Sequence, residues 1–321
     1  MNRPRLLITG AGGFCGEHAC AHFAAAGWRV TGAVRRLPRP GEMPEGAEGV
    51  EWRASDLTVP SEVKTLVADA RPDAVIHLAG VNAVGPSWDD PASALEANLM
   101  GTVYVLEAIR ASGRPVRAVV AGSMLRYRLP SGTQAPTPPH PYGLSKSLQV
   151  LAAQSWAAMY GLDVIVAEPG NLIGPGRSRG IVALLARYAA ETELAAERGQ
   201  EPPPAFRLSS GTERRDMLDV RDAIRAYELL LAGGEPGRVY PLASGRMITL
   251  GELADSFARL ARVPLAFEVG SSAAPSPLPA DTSALAALGW APSIPLAQSA
   301  GDTLEQMRRL VRSEPDGAAN V

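Results

Sequence analysis

Apolar runs of four to six residues recur along the first half of the chain, and between them apolar positions return every three or four residues. Arg5–Thr9 reads as a buried strand, Glu17–Ala26 as a helix, Arg29–Val34 as a strand, Ser61–Ala70 as a helix and Ala74–Leu78 as a strand. The rhythm continues with a helix over Pro91–Ala111, a strand over Arg117–Ala121, a helix over Tyr142–Tyr160 and a strand over Asp163–Ala167. Strands and helices alternating at this spacing predict an α/β fold, a doubly wound parallel sheet with helices on both faces.

After Pro169 the texture changes. Gly174-Pro175-Gly176 reads as a loop, Ile181–Arg198 as one long helix and Glu201–Pro204 as a breaker. Helices follow over Val220–Ala232, Leu250–Leu260 and Ala297–Val311, with a short strand near Val239. Ser271–Ala280 holds three prolines and reads as a loop, and the tail after Ser313 is expected to fray. The division expected is residues 1–170 with part of 216–245 as one domain, 171–215 and 246–312 as a smaller substrate lobe, and 313–321 as tail. Such a lobe sets a cleft over the carboxyl ends of the strands, where ligands of α/β sheets bind.

Composition narrows the function classes. Charged residues make up 20 % of the chain and the formal net charge is −2, so no basic field calls for nucleic acid or a membrane surface. No apolar stretch approaches the roughly 20 residues that span a bilayer. The first strand begins so early that no room for a signal peptide is expected. Cys15 and Cys20 make neither a disulfide framework nor a CxxC pair. A cytoplasmic setting is expected by default, and no metal site.

Two motifs carry the chemistry. Leu6-Leu7-Ile8-Thr9 breaks into Gly10, Gly13 and Gly16, the spacing GxxGxxG between a strand and a helix. There the first glycine turns the chain, the second lets backbone approach phosphates and the third lets helix pack on strand. Backbone N–H groups at the start of that helix can hold a pyrophosphate. Far downstream, Tyr142 and Lys146 stand four residues apart, on one face of a helix. A Tyr can pass a proton to a carbonyl oxygen when neighbouring positive charge lowers its pKa.

These motifs resemble those of the extended short-chain dehydrogenase/reductases, the family of nucleotide-sugar epimerases, dehydratases and reductases with a Rossmann-type sheet. The resemblance runs through Thr9–Gly16, Asp56-Leu57, His77-Leu78-Ala79-Gly80, Asn98–Thr102, Ser123, Tyr142–Lys146, Pro169–Gly176 and Arg215–Asp222. Within the family the chain is most similar to GDP-4-keto-6-deoxy-mannose reductases, through Gly170–Gly176, Arg214–Asp222 and Gly237–Gly245. The resemblance implies Ser123, Tyr142 and Lys146 as catalytic residues, with Ser123 holding the substrate oxygen and Lys146 tuning Tyr142. It implies cofactor contacts from Gly10, Gly13, Phe14, Cys15, Gly16, Asp56, Leu57, Leu78, Ala79, Gly80, Tyr142, Lys146 and Pro169. It implies substrate contacts from Asn171 and, at the diphosphate, Arg215. Ser87 is expected at the sugar beside Ser123, and Trp88 either touches the sugar or packs. Arg177 and Arg179 either meet the nucleotide or stand as solvated loop charges. A homodimer is also expected.

Two positions refine the reaction and cofactor. Relatives that eliminate water carry acidic residues after the catalytic Ser; here stand Met124 and Leu125, neither an acid nor a base. Hydride transfer between carbonyl and alcohol is what the remaining groups can perform. At the end of the second strand, where an Asp would read the ribose of NAD, stands Val34 followed by Arg35-Arg36. Two guanidinium groups suit a 2′-phosphate, so NADPH is expected over NADH, with NADH still open. The expected activity is reduction of a 4-keto-6-deoxy nucleotide sugar. The alternatives are an epimerase with tightly held NAD(P) and a cofactor-sensing protein without turnover; Ser123, Tyr142 and Lys146 argue against the last. Three departures from the family stand out: Glu168 in place of an Arg before Pro169, Arg128 in place of a Gly after Tyr127, and no Arg in 273–280.

Overall fold

The computed structural model describes residues 3–39, 43–130, 133–272 and 276–314. Parts of the expected loop and tail, residues 273–275 and 315–321, lie outside them. The chain divides into two compact units. The first comprises the chain up to Pro169 with Ile224–Leu242 and Ser283–Trp290; the second comprises Gly170–Ala223, Ala243–Thr282 and the chain from Ala291 on. Residues 283–290, expected in the substrate lobe, thus belong to the first unit, and of 216–245 the part in the first unit is 224–242.

The first unit opens with β1 (Arg5–Thr9), α1 (Phe14–Ala25), β2 (Arg29–Val34), β3 (Glu51–Ala54), α2 (Pro60–Ala70) and β4 (Ala74–His77). Next come α3 (Val84–Asp89), α4 (Pro91–Leu95), a π-turn over Glu96–Met100, α5 (Gly101–Ala111), β5 (Arg117–Ala121), α6 (Pro141–Tyr160) and β6 (Asp163–Pro169). The second unit begins with β7 (Asn171–Ile173), α7 (Ile181–Glu197), β8 (Phe206–Leu208) and β9 (Arg214–Asp219), after which α8 (Val220–Gly233) leads back into the first. There follow β10 (Val239–Leu242), β11 (Met247–Thr249), α9 (Leu250–Leu260), β12 (Phe267–Val269), α10 (Ser283–Ala287) and α11 (Leu296–Ser313).

Seven parallel strands form the central sheet in the order β10-β6-β5-β4-β1-β2-β3. Chain order reverses between β1 and β4, the switch point beside which such sheets bind ligands. Two strands join the five read from the first half of the chain. β3 pairs only with β2 at the edge, and Glu51-Trp52-Arg53-Ala54 has no buried run to betray it. The strand near Val239 closes the other edge, with Val239 opposite Val166.

The core explains why the strands read as continuous apolar runs. On one face Leu7, Val75, Val120, Val164 and Val166 are buried against Leu66, Leu106 and Val150 of the helices, and on the other Leu6, Ile8, Ile76, Val119 and Ile165 are buried as well, so both sheet faces are covered. In the second unit β9 pairs parallel with β7 and antiparallel with β11, while β8 and β12 form a separate pair. Its own core gathers Leu185, Leu208, Leu253, Phe257 and Leu304. The expected single helix over 91–111 contains the π-turn, which carries Asn98 into the interior. There its amide bonds Val81 in both directions, accepting from the N–H at 2.8 Å and donating to the C=O at 3.0 Å. Among the described residues no helix is long and apolar enough to cross a membrane.

Candidate active site

The glycine turn follows β1 directly. Gly10 has φ +69°, and a Cβ there would stand 2.7 Å from the Ala79 nitrogen, so the turn lies against the chain leaving β4. A Cβ on Gly16 would fall 2.1 Å from the Gly10 oxygen, which is why α1 packs so closely on β1 only with glycine at that position. Helix α1 begins at Phe14, three residues before the expected start, with Gly13 as an extended N-cap that offers no side chain to the first turn. Phe14 turns its ring edge-on to His18 at 5.6 Å. Cys15 stays a thiol, its pKa pushed up to about 12 by burial.

Arg35 and Arg36 stand exposed just beyond β2. Asp56, beyond β3, is held below the usual carboxylate range by the Thr58 N–H and hydroxyl, at 2.9 and 2.8 Å, with the Arg35 charge adding to the effect. Arg36 donates to the Leu37 carbonyl at 3.2 Å, and Leu57 packs partly against the core of the first unit.

Ser123, Tyr142 and Lys146 come together. Ser123 sits in the turn after β5, where its hydroxyl accepts the Leu125 N–H at 3.1 Å and lies near enough to the Tyr142 phenol to lower its pKa. Tyr142 lies in the first turn of α6, capped by His140, whose Nδ1 accepts the Gly143 N–H at 2.8 Å. One turn on, the buried Lys146 ammonium donates to the Ala121 carbonyl at 3.1 Å and to Gln149 Oε1 at 2.9 Å. A Cβ on Gly80 would stand 3.6 Å from Lys146 Nζ and 2.4 Å from Asn98 Oδ1, so only glycine fits this approach. One expectation needs correcting. Burial raises the Tyr142 phenol above its ordinary value and Ser123 draws it back only in part. Burial likewise takes Lys146 down to about 8, so the protein charge alone does not make Tyr142 more acidic.

Ser87 also departs from expectation. It is fully buried, donating to the Val84 carbonyl at 2.6 Å and accepting the Tyr142 N–H at 3.1 Å, so its hydroxyl anchors α6 and is not held out toward a sugar. Ser87→Ala leaves that N–H buried and unpaired, and is expected to cost about 1–3 kcal/mol of stability. The measurement is a lower denaturant midpoint at unchanged m-value. An unchanged midpoint would return Ser87 to the sugar. Trp88 beside it is largely exposed.

Two of the family departures are one structure. Glu168 is fully buried on β6, and Arg126 and Arg128 from the turn after Ser123 both pair with it. The positive charge lost from the strand is supplied by the loop. That loop is also tied to β6 through the Met124 N–H and the Pro169 carbonyl, 3.1 Å apart.

In the second unit, Asn171 and Arg215 lie on the neighbouring strands β7 and β9. The Asn171 amide donates to the Asp216 carbonyl at 3.0 Å. Arg215 pairs with the Glu213 carboxylate, which also receives the Ser209 hydroxyl at 2.8 Å, and donates to the Arg214 carbonyl at 2.9 Å. Its charge is therefore already partly met. Arg177 is exposed in the turn after β7. The sequence reading gave no role to His77, Asn98, Thr102, Ser145 or Gln149, all buried around Lys146. The available signal was polar residues on otherwise apolar faces, among them His77 closing the run Ala74-Val75-Ile76.

A doubly wound sheet with a glycine turn after β1 and a Ser, Tyr, Lys cluster beyond β5 defines an oxidoreductase of the extended short-chain dehydrogenase/reductase class. The chain belongs to the NAD dependent epimerase/dehydratase family, whose model matches residues 6–243. It is 34% identical over 273 residues to GDP-6-deoxy-D-mannose reductase of Pseudomonas aeruginosa, covering 81% of each chain. It is 28% identical over 329 residues to UDP-glucose 4-epimerase of Mycolicibacterium smegmatis, covering 95% of this chain and 98% of that one. A solved structure of RMD from Pseudomonas aeruginosa complexed with NADPH superposes with a TM-score of 0.78 at 30% identity, covering 95% of this chain and 99% of that one.

Proposed function

We propose that the chain is an NADPH-dependent reductase of the C4 keto group of a 4-keto-6-deoxy nucleotide sugar, with GDP-4-keto-6-deoxy-mannose the first candidate. Family and relatives support the coarser statement, a nucleotide-sugar-modifying oxidoreductase. The finer reading rests on the turn after Ser123, where Met124 and Leu125 provide no acid or base for elimination while Ser123 stands near Tyr142.

The residues fit the cofactor. The uncapped start of α1, with Gly10, Gly13, Phe14, Cys15 and Gly16, offers backbone N–H groups to a pyrophosphate. Arg35 suits the 2′-phosphate, Asp56 and Leu57 the adenine, and Leu78, Ala79, Gly80, Tyr142, Lys146 and Pro169 the nicotinamide end. A reduced nicotinamide bound there would supply the hydride, and its neutral ring would become positive beside Tyr142 only as that hydride leaves. Tyr142 then gives its proton to the C4 oxygen, Ser123 holds that oxygen, and Lys146 stabilises the resulting phenolate. Asn171, Arg177 and Arg215 are assigned to the nucleotide-sugar side, where a diphosphate would take over the guanidinium now on Glu213.

A second reading, an epimerase, is favoured by the match to the Mycolicibacterium smegmatis enzyme over nearly the whole chain. One experiment separates the two. GDP-, UDP- and dTDP-linked 4-keto-6-deoxy sugars are offered with NADPH, and its absorbance is followed. Consumption of NADPH with one of them is expected, together with no change of GDP-mannose in the presence of NADP. NAD(P) retained through purification, with sugar interconversion and none added, would establish the epimerase instead.

A further inference from the structure

Behind Lys146 runs a chain of fully buried hydrogen bonds whose directions can be worked out atom by atom. The Thr102 hydroxyl has one hydrogen, and it goes to the Asn98 carbonyl at 2.7 Å. Thr102 can therefore only accept from its other two neighbours, Gln149 Nε2 at 2.8 Å and His77 Nε2 at 2.9 Å. His77 must then carry its hydrogen on Nε2. Buried and facing the Lys146 charge, the ring is neutral, its pKa taken down to about 3, so Nδ1 is bare and accepts the Thr9 hydroxyl at 2.7 Å.

The Gln149 amide is thereby fixed one way round. Its NH₂ must face Thr102, which has no hydrogen left to give, and its oxygen must face Lys146, which has only hydrogens to give. A flipped amide would set NH₂ against the ammonium and oxygen against lone pairs. Two protein acceptors, Ala121 and Gln149, then take two of the three ammonium hydrogens among the described residues, and the third is left for a ligand.

We infer that Gln149 is a positioning residue for Lys146, its amide locked by Thr102 and the Nε2–H form of His77 so that the ammonium is both oriented and kept charged in a buried site. Tyr142 and His77 are the titratable groups beside it, and neither supplies a negative charge at neutral pH. Without an anion nearby, the carbonyl of Gln149 is what opposes desolvation. Its catalytic meaning rests on the role given to Lys146 above, but its physical content is the proton on Nζ.

The sequence holds two lysines, Lys64 exposed on α2 and Lys146, so the full chain labelled with ¹³C,¹⁵N-lysine gives a direct titration with an internal reference. No cofactor or sugar is needed, so failure of the reductase reading leaves the test standing. Lys146 is expected to titrate near pH 8 in the wild type. Gln149→Leu should lower that midpoint by about one to two pH units, the effect of one hydrogen bond to a charged group. The near-isosteric Gln149→Glu should raise it by at least as much, while Lys64 stays put in both. Should the Leu variant fail to fold, Gln149→Glu decides alone. A Lys146 midpoint unmoved by Gln149→Glu overturns the inference, as does a ¹⁵N-histidine spectrum in which His77 carries its proton on Nδ1 at neutral pH. A purely structural role for Gln149 would change the melting temperature and leave the lysine titration where it was.

Discussion

Tyr142→Phe is expected to lower kcat by about 10²–10⁴-fold with little change in NADPH affinity, the loss typical of removing a positioned general acid. The substitution takes away one oxygen and leaves the buried ring and its packing in place. The phenol is influenced by the neighbouring Ser123, whose hydroxyl receives the Leu125 N–H and so stays occupied in the variant. A stability loss is therefore expected to be small, and a melting curve run alongside separates lost chemistry from lost fold. Because burial keeps the free enzyme's phenol above its ordinary value, Tyr142 is fully protonated at neutral pH and ready to donate. The measurement is kcat on the sugar identified in the NADPH assay, with cofactor binding followed separately. A variant that keeps wild-type kcat removes Tyr142 from the mechanism.

The parts of the fold that were legible are those that bury continuous apolar runs between strong punctuation. β1, β2 and β5 fall on the expected residues because each fills the middle of a sheet covered on both faces. β3 was not legible, since an edge strand with one partner needs no apolar run, and the three-residue strands β7, β8, β11 and β12 are too short to show a period. Their pairing is decided by contacts between distant segments.

The site divides along the same line. Tyr142 and Lys146 were readable because four residues on a helix make neighbours, a local fact. The anchoring bond of Ser87 was not legible, because only the folded chain brings the Tyr142 N–H to its hydroxyl across 55 residues. Glu168 and Arg128 stood out separately as departures, yet their compensation across 40 residues is a property of the fold. The bonds joining Thr9 to His77 and Thr102 to Gln149 likewise span long separations, 68 and 47 residues, and no local pattern announces them.

Arg35→Ala is expected to weaken NADPH by about ten- to a hundred-fold while leaving NADH nearly unchanged, the equivalent of one charge-assisted hydrogen bond of about 1.5–3 kcal/mol. The guanidinium stands exposed just beyond β2, where the ribose-reading residue of the sheet falls, and Val34 supplies no carboxylate to repel a phosphate. Its nearby anion, Asp56, already accepts two bonds from Thr58, so a doubly charged phosphate can compete for Arg35 against a carboxylate whose oxygen is taken. Because the group is exposed, salt will screen part of the effect, and the comparison belongs at one fixed, moderate ionic strength. Val34→Asp should move the preference the same way by repulsion, independently of any bond that Arg35 makes. The readout is the ratio of kcat/KM for NADPH and NADH in the wild type and both variants. A ratio unchanged by either substitution would leave Arg35 and Arg36 as solvated charges and place cofactor choice elsewhere in the chain.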